Sequence, residues 1–431
     1  MNTQSANAQG LSSKELAVRF KAMLIVPPSL LKMPTDVHSA SSMKIVEVNT
    51  DFQAQMWIDY PSVLYKNDPK YIPSLQKDVE DVFDRNRNRL FEIEESAVTR
   101  WLLFDEDGIL IGRIAAFVNG KIFKKEEQPT GGCGFFDCID DQDAANLLFD
   151  TAKDWLVSKD MEAMDGPVNF GERDKFWGVL VDGFKEQNYG MFYNAPYYQK
   201  LYENYGFQLY FNQYTYGREV HLRNKDFSER FYERAQPALD NPDITFRSLT
   251  GKEIEKGPEY FHHVYNNAWG GHSGVPAMSL QQVEKMFKKL KQIYDKRLMY
   301  FGFYKDEPIS FFISIPELNT LFKHVDGKMN TIGKLKFLYH KYTGSCNKIL
   351  GIVFGVVPEW QGKGVESAMV VRWSKIDWAP YETIEMNWCG DFNPKMMHVC
   401  EQLGGDIIKT HVTYRFLFDR NKPFKRCPII E

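Results

Sequence analysis

The hydrophobic pattern of this chain switches between runs of strand length and stripes of helical period. Ile349 to Val357, ILGIVFGVV, is an apolar, β-branched run, and Pro358 cannot donate to a sheet ladder, so the run predicts a strand that ends there. Beyond it, Val365, Ala368, Met369, Arg372, Trp373 and Ile376 fall at i, i+3, i+4, i+7, i+8 and i+11. That is the stripe of an amphipathic helix with Arg372 as its one polar member. Residues 383–418 then predict a strand, a helix opening near Asn393 and Pro394, a stop at Gly404 and Gly405, and a strand rich in Thr, Val, Tyr and Phe.

The pattern recurs within the chain. Residues 100–119 (RWLLFDEDGILIGRIAAFVN) and 298–319 (LMYFGFYKDEPISFFISIPELN) each read as strand, acidic turn, strand, about 200 residues apart. Residues 197–207 (YYQKLYENYGF) and 397–405 (MHVCEQLGG) match at nearly the same offset, with Tyr202 opposite Cys400. The chain therefore reads as two tandem copies, which suits its 431 residues and its 43% hydrophobic content. Residues 1–42 carry three prolines and little periodicity and are expected to be a poorly ordered extension. The copies span 43–216 and 244–431, and the charged segment 217–243 is expected to join them.

Between the strand ending at Val357 and the helix from Val365 lies Gln361-Gly362-Lys363-Gly364. Free N–H groups and the positive end of the macrodipole collect at a helix start, so a helix opened by glycines is an anion site. The spacing is neither that of a Walker loop nor GxGxxG, and an ordinary glycine turn satisfies the same residues.

Gln361, Gly362, Lys363 and Gly364, behind a strand ending VVPEW, resemble the pyrophosphate loop of the GCN5-related N-acetyltransferases (GNAT superfamily). The resemblance implies an α/β (α+β) fold: two GNAT-like domains, each with a mixed, mostly antiparallel central sheet flanked by helices. It also implies acetyl-CoA or another acyl-CoA as co-substrate. Val356, Val357, Gln361, Gly362, Lys363, Gly364, Val365 and Asn393 would bind the coenzyme, the thioester lying between splayed strands. Family members often protonate the departing thiolate with a tyrosine. Here Cys400 occupies that position, four residues before Gly404, and is either a weak acid or a buried structural thiol. Glu366 stands where the family motif has a small residue; a carboxylate there favours the helix dipole and disfavours a diphosphate.

The first copy keeps the helix but replaces the glycine loop by DCIDDQDAA, residues 137–145, whose four aspartates would repel a diphosphate. It retains Tyr202 in the acid position, where an aromatic packing residue is an equal reading. For the acceptor side of the second copy, His272 lies in a glycine-rich loop and reads as a general base or a surface donor, and Glu385 and Asp391, on the fifth strand and its turn, are further candidate bases. Aromatic and basic residues 322–342 (FKHVDGKMNTIGKLKFLYHKY) form an insertion between the third and fourth strands of that copy.

A formal net charge of −4 argues against general nucleic-acid binding. No apolar run reaches the length of a membrane span. The 6 cysteines lack metal spacing and suit a reducing cytoplasm. The reading is a cytoplasmic N-acyltransferase acting through the second copy on a small-molecule or peptide amine by direct attack. Alternatives are a non-catalytic binding or sensor protein, and a transferase with a bulky aminoacyl or N-acyl amino acid donor. The sequence does not fix the oligomeric state.

Overall fold

The computed structural model describes residues 43–430 except 124–126, 172, 174, 222–226, 270–276, 292 and 294. The N-terminal extension, His272 and part of the expected connector lie outside the described residues.

Copy one runs β1 (Lys44–Glu47), α1 (Asp51–Leu64), α2 (Gln76–Phe83), β2 (Ala97–Phe104), β3 (Leu110–Val118), β4 (Thr130–Cys138), α3 (Gln142–Val157), β5 (Ala163–Gly166), β6 (Val179–Asp182), α4 (Tyr198–Tyr205) and β7 (Gln208–Glu219). The expected connector carries α5 (Glu229–Leu239). Copy two follows with β8 (Ile244–Ser248), α6 (Gly257–Trp269), α7 (Leu280–Leu290), β9 (Met299–Tyr304), β10 (Glu307–Pro316) and α8 (Thr331–Tyr342). It ends with β11 (Lys348–Val356), α9 (Val365–Ser374), β12 (Thr383–Gly390), α10 (Pro394–Gln402) and β13 (Asp406–Leu417).

Local chemistry sets several of these boundaries. Thr50 and Gln53 form a capping box at the start of α1, with Gln53 N–H donating to Thr50 Oγ1 at 3.2 Å and Thr50 N–H donating to Gln53 Oε1 at 3.0 Å. Helix α4 stops at Gly206, whose φ of 109° is left-handed. Asn393 caps α10 by accepting from Met396 N–H at 3.2 Å, and Pro394 opens the first turn.

The chain forms two compact units. One comprises residues through Gln213 with Phe322–Lys336 and Lys409–Ile430; the other comprises Tyr214–Leu321 with Phe337–Ile408. In the first unit β1, β2, β3 and β4 are antiparallel neighbours, and β5 joins β4 in parallel. β13 then pairs antiparallel with β5 and also with β6. Arg415 on β13 fixes that register with two bonds to Asp165, at 2.6 and 2.8 Å. In the second unit β8, β9, β10 and β11 are antiparallel and β12 is parallel to β11. The end of β7 flanks β12, and Val220 N–H donates to Glu382 O at 2.8 Å.

Each sheet is thus four antiparallel strands, one parallel strand and a closing strand contributed by the other sequence repeat. This is the expected architecture, a mixed and mostly antiparallel sheet flanked by helices, present twice. In the first core Phe149 of α3 is fully buried and stacks on Phe136 of β4 at 4.5 Å. In the second, Ala235 and Ala238 of α5 share a buried cluster with Val365, Ala368 and Val371 of α9. Among the described residues no helix is long and apolar enough to cross a membrane.

Candidate functional site

In the second unit, β11 and β12 pair from Lys348 and Thr383 only as far as Gly351 and Met386. Both strands continue, to Val356 and Gly390, so a parallel pair splays into a wedge. The β10–β11 register slips between Ile313 and Ser314, which pair with Val353 and Gly351, leaving Ile352 as the extra residue of a bulge. Beyond the bulge Val353 and Phe354 on β11, and Asn387 and Trp388 on β12, are half-buried, and Ile352 is 42% exposed. Between the diverging strands Val353, Phe354 and Trp388, beside Asn387, form a largely apolar and aromatic lining that suits an acyl chain or a pantetheine arm.

The QGKG loop follows the wedge. Gln361 Nε2 donates to Val356 O at 2.9 Å and ties the loop to the strand end. Val357 N–H donates to Ile309 O at 3.0 Å, so this amide is engaged in the sheet. Lys363 is exposed, its Nζ 5.4 Å from the Trp360 ring centroid. Gly362 and Gly364 both have left-handed φ, 70° and 83°. A Cβ on Gly362 would meet nothing within 4 Å, whereas a Cβ on Gly364 would lie 2.0 Å from Arg234 O on α5. Gly364 therefore serves close helix packing, and Val365, fully buried, seats the first turn of α9. Glu366 bends back so that its Oε1 accepts from Gly362 N–H at 3.2 Å. A phosphate on that amide has to replace this carboxylate.

Cys400 of α10 is buried in a cluster with Tyr216, Met386 and Cys389, and burial pushes its thiol up to about 12. The Tyr216 hydroxyl in this cluster is buried without a hydrogen-bond partner among the described residues, and desolvation raises its pKa. Tyr216 lies on β7, a strand the sequence assigns to the first copy, so its place beside Cys400 was not legible in the motif spacing. Asn393 is engaged as a helix cap. Asp391 is half-buried in the turn after β12. Glu385 is buried and paired with Lys348 Nζ at 2.6 Å.

The corresponding wedge of the first unit is closed. β4 and β5 pair only over Thr130–Gly132 and Ala163–Asp165, but Val168 N–H then donates to Cys133 O at 2.9 Å. The Val168 carbonyl lies where a Cβ on Gly134 would be, 1.8 Å away. Asp141 caps α3 by accepting from Asp143 and Ala144 N–H, placing a carboxylate at the helix start. Tyr202 is fully buried and stacked at 5.5 Å on Tyr414. Asp137 turns inward from β4 to meet Arg113 Nε at 2.7 Å and the Tyr65 hydroxyl at 3.2 Å. This ion pair lines a cavity of about 50 Å³ together with Asp59, Tyr71, Gln76 and Tyr193.

No protein-family model matches the chain. The chain is similar to a protein named bacterial ceramide synthase from Caulobacter vibrioides (strain NA1000 / CB15N), 25% identical over 394 residues that cover 89% of this chain and 99% of the relative. It is also similar to Protein YghO of Escherichia coli (strain K12), 21% identical over 368 residues covering 83% of this chain and 91% of the relative. Among solved structures, a tandem GNAT protein from the clavulanic acid biosynthesis pathway aligns over 88% of this chain and 100% of its own, with a TM-score of 0.47 and 10% identity.

Proposed function

We propose that the chain is an acyl-CoA-dependent N-acyltransferase that uses its second unit to join an acyl chain to the amine of a long-chain amino alcohol, giving a ceramide-type amide. The observation that carries this reading is the open wedge between β11 and β12, apolar and aromatic, leading to a glycine loop at a helix start. Similarity to a protein named for ceramide synthesis, along nearly the whole of both chains, supports the choice of acceptor.

The neutral amine attacks the thioester carbonyl, the C–N bond forms as the C–S bond breaks, the amine releases its proton to solvent, and the thiolate takes one up. The loop 361–365 holds the diphosphate once Glu366 has released the Gly362 amide. Tyr216 and Cys400, which share one buried cluster, are the two candidate proton sources for the thiolate. Orientation in the wedge supplies most of the rate.

A second reading is favoured by one contact. The Glu366 carboxylate on the Gly362 amide suits a protein that binds an acyl chain without the coenzyme, as a sensor. Calorimetric titration with acetyl-CoA, free coenzyme A, a long-chain acyl-CoA and a free long-chain fatty acid separates the two, followed by mass-spectrometric detection of amide formed with a long-chain amino alcohol. One site per chain, tightest for the long acyl-CoA and yielding amide, supports the transferase. Binding of free fatty acid with no binding of any coenzyme form would replace it by the sensor.

A further inference from the structure

We propose that α8 is a docking element for an anionic lipid surface. Ile332, Leu335, Leu338, Tyr339 and Tyr342 on this helix stand in solvent at 66%, 64%, 43%, 65% and 80% exposure. At 3.6 residues per turn these five side chains fall within an arc of about 120°. They form one apolar stripe along the helix, unlike the singly scattered apolar residues of an ordinary surface. Gly333 and Phe337, on the other side of the helix, are buried, so α8 is held by one face and presents the other.

Lysines border the stripe. Lys336 lies on one edge, Lys334 and Lys341 on the other, and the helix contains no carboxylate. Asp326 approaches Lys336 at 3.7 Å, but its carboxylate is 80% exposed and the pair is of the weak surface kind.

The charge pattern selects the occupant. A second copy of the chain would bring the same lysines against themselves, and like charges around an apolar contact oppose it. A bilayer surface supplies both requirements, acyl chains for the stripe and anionic headgroups for the lysines, whose stems extend along the apolar face toward the charge. Tyr339 and Tyr342 suit that boundary, with an apolar ring and a polar hydroxyl. The inference stands on the helix alone and does not depend on the proposed reaction.

The test is co-sedimentation of the full chain with vesicles of phosphatidylcholine, and with vesicles of equal parts phosphatidylcholine and phosphatidylglycerol. The chain is expected to sediment with the mixed vesicles and to be released by salt. Leu335→Glu with Tyr339→Glu, both at solvent-exposed positions, should abolish sedimentation at an unchanged melting temperature. Combined Lys334→Gln, Lys336→Gln and Lys341→Gln should weaken it on the order of a hundredfold, about fivefold for each lysine. Absence of sedimentation, or sedimentation indifferent to both variants, would overturn the proposal. Self-association of the wild type, lost in the double glutamate variant without any vesicle binding, would overturn it in favour of a second copy.

Discussion

On the proposed reading, two glycines in one loop separate coenzyme binding from folding. Gly364 has φ 83°, and a Cβ there would lie 2.0 Å from the Arg234 carbonyl oxygen, a backbone atom of a packed helix. Gly364→Ala forces α5 and α9 apart, and left-handed backbone costs about 1–2 kcal/mol while overpacking adds about 1–3 kcal/mol. A stability loss of about 2–5 kcal/mol is expected from those two effects together. Gly362 has φ 70° with no atom within 4 Å of the added carbon, and aspartate tolerates that conformation better than most residues. Gly362→Asp should therefore melt within a few degrees of the wild type. Its carboxylate would stand beside the diphosphate, where two unit charges about 4 Å apart at an effective dielectric constant near 20 repel by about 4 kcal/mol. That corresponds to on the order of a thousandfold weaker acyl-CoA binding, and the neutral Gly362→Asn should bind nearly as the wild type does. Calorimetry and thermal melting read both effects. Wild-type affinity in Gly362→Asp would remove the loop from coenzyme binding, and an undiminished melting temperature in Gly364→Ala would refute the packing role.

Tyr216→Phe removes a buried hydroxyl without a partner among the described residues; it should raise stability by about 1 kcal/mol while lowering turnover if Tyr216 supplies the thiolate's proton, and unchanged turnover would exclude it. His411 is fully buried in the first unit, and desolvation, then Lys409, hold its pKa down from 6.5 to about 3. The folded state refuses a proton the unfolded state accepts, so this stability is complete above pH 6.5 and declines as the pH falls toward 3. The decline is about 1.4 kcal/mol per pH unit, and His411→Gln should flatten it between pH 7 and pH 4.5 in denaturant titrations, whereas parallel pH profiles would refute the assignment. Arg113→Ala leaves Asp137 buried without its cation and should cost about 3–5 kcal/mol; the paired change Arg113→Met with Asp137→Leu should recover most of it, and a mild effect of the single change would show that water reaches the site.

The segments whose form is set by neighbours along the chain were legible. The run 349–357 became β11, the stripe from Val365 became α9, and Asn393-Pro394 opens α10, because strand ends, caps and helical period are local properties. The four aspartates of 137–143 were read together as one repulsive turn, and the structure divides them. Asp137 is buried against Arg113, 24 residues earlier, and Asp141 caps α3. Alternation says that one face of β4 is covered but does not name the cation opposite. The segment 217–243 read as a connector because its charges mask the apolar positions Phe231, Ala235 and Ala238, which are buried. The closure of the first wedge by Val168 depends on where the chain returns after β5, for which no periodicity exists.

The exchange of closing strands places a strand of each repeat in the sheet of the other. β13 covers β5 and brings Tyr414 and Phe416 against Tyr202, Tyr205 and Phe207 in the first core. β7 in turn flanks β12 and brings Tyr216 into the cluster with Cys400 and Met386. In the second repeat alone, residues 244–431, Tyr216 would be missing from the cluster around Cys400, and one edge of β12 would be bare. On the proposed reading, Tyr216 on β7 and Cys400 on α10 are competing proton sources for the thiolate, and the strand exchange is what brings the two into one buried cluster.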